Sequence, residues 1–185
     1  MNPRSITGCF VVAVIAVVYL FAFALPPAHA ARGVTYDPRG DAVAGFDILR
    51  VVSLNGKRKL ALKIVYRGSL KPRYEPGLGV SAHMDLDLGA PAESVYDNDF
   101  AVGASFGVPN QAERFYFMRG YRMARCPGLK GRVGIRRGVI RLVVPQRCFR
   151  RQAGRVRVAG FTYANKGVGR SADYIRQWGR WVERG

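Results

Sequence analysis

This sequence has few of the side chains that bind transition metals or that pair as a catalytic nucleophile and its base. Its 185 residues include three cysteines and two histidines, and beyond residue 30 only His83, Cys126 and Cys148 remain. These are too few for the four nitrogen or sulfur ligands of a structural zinc site. No glycine-rich loop leads into a helical pattern, which argues against nucleotide binding. No nucleic-acid-binding motif is present either, so sequence-specific recognition of nucleic acid is not expected.

Acidic residues are missing from residues 114–172, which contain sixteen lysines and arginines, whereas residues 31–113 contain ten basic and ten acidic residues. The formal net charge of +18 therefore comes mainly from the C-terminal half. Arginines bind phosphate and carboxylate groups through paired hydrogen bonds and the release of counterions. The candidate polyanion-binding residues are Arg136, Arg137, Arg147, Arg150, Arg151 and Arg155. The alternative is that these charges are spread over solvated strand faces, because strand alternation alone directs polar residues outward.

The first thirty residues have the layout of an export signal. Arg4 precedes the uncharged apolar run Phe10–Leu25, and a proline pair leads to Ala28-His29-Ala30. This order is typical of a secretory signal peptide that is cleaved after a small residue, here Ala30. We therefore predict a secreted, extracellular protein. The apolar run is almost as long as the roughly 18 residues of a membrane span, so the alternative is a membrane anchor formed by residues 10–25.

The remaining residues, 31–185, have a length that suits one domain with its own core. They contain an even pair of cysteines, Cys126 and Cys148. In an exported chain such a pair predicts a disulfide bond.

Beyond Gly45 the apolar residues recur mostly at every second position, which indicates strands with one buried face. Residues 46–54 and 59–66 flank Asn55-Gly56, which predicts a hairpin with a tight turn. Residues 80–88 alternate throughout, with Ser81, His83, Asp85 and Asp87 directed outward. Further strands are expected within residues 100–106 and 115–118, in a second hairpin over 132–144 that turns at Arg137-Gly138, and within 156–163.

The spacing changes near the end of the chain. Ser171 suits a helix N-cap, and Tyr174, Trp178, Trp181 and Val182 recur at helical spacing. The predicted fold is therefore all-β: an antiparallel β-sandwich of about eight strands with one short C-terminal helix. A barrel is the alternative arrangement of the same strands.

Several acidic residues are candidates for calcium binding or catalysis. Carboxylate oxygens are the ligands that Ca²⁺ prefers, and the candidates are Asp85, Asp87, Asp97 and Asp99. The spacing matches no EF-hand loop, and an aspartate-rich turn beside an outward strand face explains the same residues better. A nucleophilic triad would have to use His83 with Asp85, but no nucleophile-elbow pattern supplies a serine. The candidates for a glycosidase pair are Glu75, Glu93 and Glu113.

Four segments resemble a class of exported bacterial proteins of unassigned function. These segments are Asp41–Ile48, Asp85-Leu86-Asp87, Cys126-Pro127-Gly128 and Val143–Phe149. The class is expected to form β-sandwiches of the DOMON or carbohydrate-binding-module type, so the resemblance implies a sandwich that binds a sugar or another component of the cell envelope. It implies no catalytic residue.

DOMON-type haem sites use methionine or histidine as axial ligands. In this sequence Met84 and His83 are adjacent and face opposite sides of one strand. A haem cofactor is therefore not expected, and Ca²⁺ is the only cofactor that the sequence suggests.

Together these patterns predict an exported, non-catalytic binding domain. The expected ligand is a polyanion, a polysaccharide or another cell-envelope component, and membrane contact is expected only through an uncleaved N-terminal segment. One alternative is a secreted hydrolase that uses the acidic residues. Another is a surface protein with a structural or partner-binding role.

Overall fold

The computed structural model describes residues 30–38, 40, 47–67, 78–86, 99–106, 114–134, 137–149, 154–163 and 173–185. The predicted signal peptide, apart from Ala30, and the alternative anchor over residues 10–25 lie outside these ranges. Within them, no helix has both the length and the apolar character that crossing a membrane would require.

The described strands form two sheets in which every pairing is antiparallel. The five-stranded sheet has the spatial order β1 (Ala31–Tyr36), β2 (Asp47–Asn55), β3 (Lys59–Arg67), β9 (Val139–Pro145) and β8 (Lys130–Gly134). The six-stranded sheet has the order β11 (Val182–Glu183), β10 (Arg155–Tyr163), β4 (Leu78–Leu86), β5 (Phe100–Phe106), β6 (Arg114–Arg119) and β7 (Arg122–Met123).

The sheets pack against each other through the faces that carry the alternating apolar residues. Leu60, Leu62 and Ile64 on β3 are at most 2% exposed, and Val80 and Met84 on β4 are fully buried. All five belong to one cluster of buried side chains drawn from both sheets. Complete burial of such a side chain contributes roughly 1.5–3 kcal/mol. The predicted all-β antiparallel sandwich is therefore confirmed.

Both predicted hairpins are present, but the first turn lies two residues later than expected. Asn55 pairs with Leu60, and the amide of Gly56 donates to the carbonyl oxygen of Lys59 at 3.0 Å, so the turn residues are Lys57 and Arg58. Asn55 is drawn out of the turn because its side chain is buried and its Nδ2 donates to the carbonyl oxygen of Val182 at 3.0 Å. Gly56 consequently does not take the positive φ of a tight turn, whereas Gly138 in the second hairpin does, with φ of 56°.

The predicted C-terminal helix is wrong. The amides of Ile175 and Gly179 donate hydrogen bonds to carbonyl oxygens of β10, and β11 pairs with the start of the same strand. The tryptophans contact an arginine of β10 instead: the rings of Trp178 and Trp181 lie 5.2 and 4.8 Å from the guanidinium carbon of Arg157. An extended segment satisfies backbone groups at the edge of β10 that a helix would leave unpaired.

A disulfide bond closes one side of the sandwich. Cys126, which precedes β8, is bonded to Cys148 in the 3-10 turn Gln146–Cys148 that follows β9, with a Cα–Cα distance of 5.2 Å. The predicted pairing is confirmed. A bond between cysteines separated by 22 residues constrains the unfolded chain by about 3 kcal/mol. The bond also indicates that the protein folds in an oxidising compartment.

Candidate binding surface

The outer face of the five-stranded sheet is uniformly basic. Because alternate side chains of a strand point to opposite faces, the residues between the buried positions of each strand face outward. Every lysine and arginine of this sheet occupies such an outward position. We call this surface the basic face, and its cations are Arg32, Arg50, Lys59, Lys63, Arg67, Lys130, Arg132 and Arg141.

A β-bulge on β2 directs Arg50 to this face. Ile48 points into the core, so strict alternation would also turn Arg50 inward. The register between β2 and β3 shifts between these two residues, which inserts one extra position. Arg50 consequently pairs with Val65 and is exposed.

Three cations lie directly opposite one another across neighbouring strands. Lys63 on β3 pairs with Arg141 on β9, and Arg141 pairs in turn with Arg132 on β8. We call these three residues the central row. Neighbouring strands are about 4.8 Å apart, so the row places three positive charges within a width of about 10 Å. Like charges directly opposite each other destabilise a sheet, so the row costs the folded protein stability.

None of the described strand residues of this sheet is an exposed acid. The single acidic residue of these five strands is Asp47, which pairs with Arg67 in the strand register but is buried, at 7% exposed. Within the part of the chain that the structure describes, none of the eight cations forms an ion pair. The cations therefore face solvent without a carboxylate partner from these residues.

Neutralising the middle cation of the row is expected to stabilise the protein. Arg141→Gln removes one charge from between Lys63 and Arg132, so the free energy of unfolding should rise by about 0.5 kcal/mol. Urea unfolding at low salt measures the change. Since salt screens exposed charges, the gain should shrink in concentrated salt. A loss of stability at low salt would show that the three charges do not repel one another.

The basic face extends along the strands of the sheet. Lys59, Lys63 and Arg67 recur at every fourth position of β3, which separates them by about 13 Å at a rise of about 3.3 Å per residue. Half-buried or exposed aliphatic side chains lie between the cations, among them Val34, Val52, Leu54, Ala61, Val65 and Val143. This shape suits a ligand that runs along the sheet.

The six arginines selected from the sequence are not neighbours where the structure describes them. Arg137 precedes β9 and Arg147 follows it, so they lie at opposite ends of this strand. Arg155 belongs to β10 in the other sheet, where its guanidinium carbon lies 4.8 Å from the Trp181 ring. Arg136, Arg150 and Arg151 lie outside the described residues. Arg137, Arg147 and Arg155 therefore do not belong to the basic face.

The distribution of charge along the sequence does not indicate the basic face. Five of its cations come from residues 31–113, where the numbers of acidic and basic residues are equal. The acids of that part include Asp37, Asp47 and Asp85, which are 8%, 7% and 1% exposed. Because these three carboxylates are buried while the cations face outward, they offset the surface charge less than the residue count indicates.

The calcium candidates do not assemble within the described residues. Asp85 faces away from Met84 as predicted, but it is buried, and its Oδ2 accepts hydrogen bonds from two nitrogens of Arg157, both at 2.7 Å. Asp99 Oδ2 accepts a hydrogen bond from the amide of Leu86 at 3.0 Å. Asp87 and Asp97 lie outside the described residues. The structure brings together a different group of carboxylates, Asp37, Asp47 and Asp173.

Two of the residues considered for catalysis, His83 and Asp85, lie within the described part of the chain. His83 is half-buried, and its ring stacks on that of Phe161 with centroids 5.2 Å apart. Its candidate partner Asp85 is the acid that is bonded to Arg157. Glu75, Glu93 and Glu113 lie outside the described residues.

Comparison with known proteins finds no protein-family model and no curated protein that matches this sequence. The proposed function therefore rests on the charges and the extent of the basic face.

Proposed function

We propose that this protein binds an extended anionic polymer of the cell envelope through its basic face. The observation that carries the proposal is that the five-stranded sheet directs all eight of its cations outward, while its one acid is buried. Unpaired surface cations attract phosphate and carboxylate groups and release bound counterions when these groups bind.

Charge, not aromatic stacking, is the expected source of affinity. Aromatic side chains offer an apolar ring and a polar edge to amphipathic ligands such as sugars. Among the described residues of the basic face, Tyr36 is the one aromatic side chain, 68% exposed at the end of β1. A single ring at one corner suits a neutral sugar poorly, whereas rows of cations suit a polymer of phosphate or uronate units.

The repulsion within the central row supports a binding role. Natural sheets avoid like charges in directly opposed positions because such pairs cost stability. Here Arg141 faces a cation on each side, Lys63 and Arg132. A bound polyanion would offset this repulsion. The arrangement is therefore expected of a surface that binds an anionic ligand.

The compartment in which the protein folds limits the kinds of anionic polymer that it can bind. The disulfide Cys126–Cys148 indicates an oxidising environment, and the first thirty residues have the order of an export signal. Phosphate polymers and acidic polysaccharides of the cell envelope are the polyanions that an exported protein meets. We therefore propose the same non-catalytic binding role that the sequence predicts, and we assign it to a different set of cations.

A salt series tests the proposal. The purified protein is titrated with long-chain polyphosphate and with alginate at salt concentrations from about 50 to about 200 mM. The logarithm of the association constant should fall linearly with the logarithm of salt concentration, by about 0.7–0.9 per neutralised charge. Engagement of four or more cations gives a slope steeper than about −3.

Dextran is the matched control, because it is a flexible polysaccharide without charge. The proposal predicts no measurable binding of dextran at any salt concentration. A slope shallower than about −1, or equal affinity for dextran and alginate, would show that the basic face does not bind by charge.

A further inference from the structure

Three aspartates from distant parts of the chain meet at one end of the sandwich. Asp37 follows β1, Asp47 begins β2, and Asp173 begins the C-terminal segment beside β10. One carboxylate oxygen of each lies within 4.8 Å of the others. The three side chains are 8%, 7% and 4% exposed, respectively. We call this group the aspartate triad.

Asp47 has one buried carboxylate oxygen without a donor among the described residues. The amide of Ile48 donates to Asp173 Oδ2 at 2.5 Å, and the amide of Gly40 donates to Asp47 Oδ2 at 3.1 Å. The other oxygen of Asp47, Oδ1, is fully buried and accepts no hydrogen bond. A buried carboxylate oxygen without a donor is costly, and negative charges this close repel one another. A bound cation removes both costs at once.

We propose that Asp37, Asp47 and Asp173 bind one hard divalent cation, with Ca²⁺ preferred. Ca²⁺ takes six to eight oxygen ligands in flexible geometry, which suits three carboxylates whose oxygens lie within 4.8 Å of one another. Mg²⁺ demands near-ideal octahedral geometry and loses its bound water reluctantly, so a buried carboxylate group suits it less. The absence of nitrogen and sulfur ligands from the triad disfavours zinc and softer metals.

A cleft of about 680 Å³ borders the triad at Asp37. Its other lining residues are Tyr36, Pro38, Ile175, Arg176 and Gln177. Water from this side can complete the coordination of an ion, as is common for Ca²⁺. By joining the end of β1, the start of β2 and the C-terminal segment, the ion fastens both sheets at one end of the sandwich.

Calcium titration of the chelator-treated protein tests the site. Addition of CaCl₂ to ten times the dissociation constant should favour the folded state about elevenfold and raise the Tm by roughly 3–6 °C. MgCl₂ at the same concentration should have a much smaller effect. NaCl of equal ionic strength is the control for screening.

Two charge-removing variants locate the effect. Asp47→Asn and Asp173→Asn retain an oxygen that accepts the amide hydrogen bonds of Gly40 and Ile48, respectively. Each should abolish the calcium-dependent rise in Tm. Without calcium, Asp47→Asn should match or exceed the Tm of the unaltered protein, because it relieves repulsion within the triad. Glu183→Gln, an exposed acid on β11, is the matched control and should retain the full rise.

Terbium luminescence gives a second measurement that needs no variant. Tb³⁺ takes the place of Ca²⁺ at oxygen sites and emits when an aromatic ring such as that of Tyr36 lies nearby. The emission should saturate and should be reversed by excess Ca²⁺.

A protein without saturable calcium or terbium binding, or a calcium-dependent rise in Tm that persists in both asparagine variants, would overturn the proposal. Polyanion binding is measured separately, so either result leaves the basic face to its own test.

Discussion

Simultaneous replacement of Lys63, Arg132 and Arg141 by glutamine is expected to lower the affinity for polyphosphate roughly a hundredfold at low salt. The estimate takes about 1 kcal/mol for each cation beside an anionic surface. The slope of affinity against salt should become shallower by about 2–3, because three counterion-releasing contacts are lost. Since these side chains are outward and mutually repulsive, the variant should remain folded and be at least as stable as the unaltered protein. Isothermal titration across the salt series measures both quantities.

A second triple variant separates the basic face from net charge. Arg137→Gln, Arg147→Gln and Arg155→Gln together remove the same number of charges from sequence-selected arginines that lie off the basic face. This variant should keep its affinity within a few-fold of the unaltered protein. Equal losses in the two triple variants would show that polyanions respond only to the total charge, and a larger loss in the second would place the site around Cys148.

The ion pair between Asp85 and Arg157 is expected to give the largest stability effect. Asp85 is 1% exposed, and both of its hydrogen bonds to Arg157 measure 2.7 Å. Arg157→Met leaves a buried carboxylate without its guanidinium partner, so the free energy of unfolding should fall by about 3–5 kcal/mol. Loss of the contacts with Trp178 and Trp181 adds to this cost. Urea unfolding with the disulfide intact measures the change.

Two further variants separate charge pairing from ring contact. Arg176→Met removes an exposed arginine that lies 5.7 Å from the Tyr174 ring, and it should cost less than about 1 kcal/mol. Asp85→Asn combined with Arg157→Met should lose less stability than Arg157→Met alone, because no buried charge remains. If the double variant is as unstable as Arg157→Met, the loss comes from packing and not from the unpaired carboxylate.

Much of the fold could be predicted from the sequence because strand alternation is a local property. The apolar positions of β3 and β4 recur every second residue, and the structure buries them on one face. β1 was missed since two of its inward positions are Gly33 and Thr35, which carry no apolar side chain to mark them. A Cβ at Gly33 would lie 2.3 Å from Val182 Cγ2, so the space is filled from the C-terminal segment.

The C-terminal segment was predicted incorrectly because its aromatic spacing fits a helix and an edge segment equally well. The deciding contacts are with distant residues: Gly179 approaches Thr35 of β1 so closely that a Cβ there would lie 2.1 Å from its Oγ1. No pattern within residues 171–185 reveals such a contact. Sequence periodicity therefore identified the aromatic side chains but not the partners against which they pack.

The basic face depends on strand order and register, which the sequence does not display. Lys63 and Arg141 are far apart in the chain and become neighbours only through the pairing of β3 with β9. Arg50 reaches the face through a bulge that strict alternation does not predict. The aspartate triad likewise combines residues from three segments. The sequence predicted an excess of positive charge, but the positions of these charges in the fold follow from the topology.

Mapping a bound polyanion by NMR tests the central claim most directly. Backbone and arginine side-chain resonances are followed while short-chain polyphosphate is added to the isotope-labelled protein. We expect the largest saturable shifts at Lys63, Arg132 and Arg141 and at their outward neighbours on β1, β2 and β3. Shifts concentrated on the six-stranded sheet or around Arg147, with the central row unchanged, would contradict the assignment of binding to the basic face.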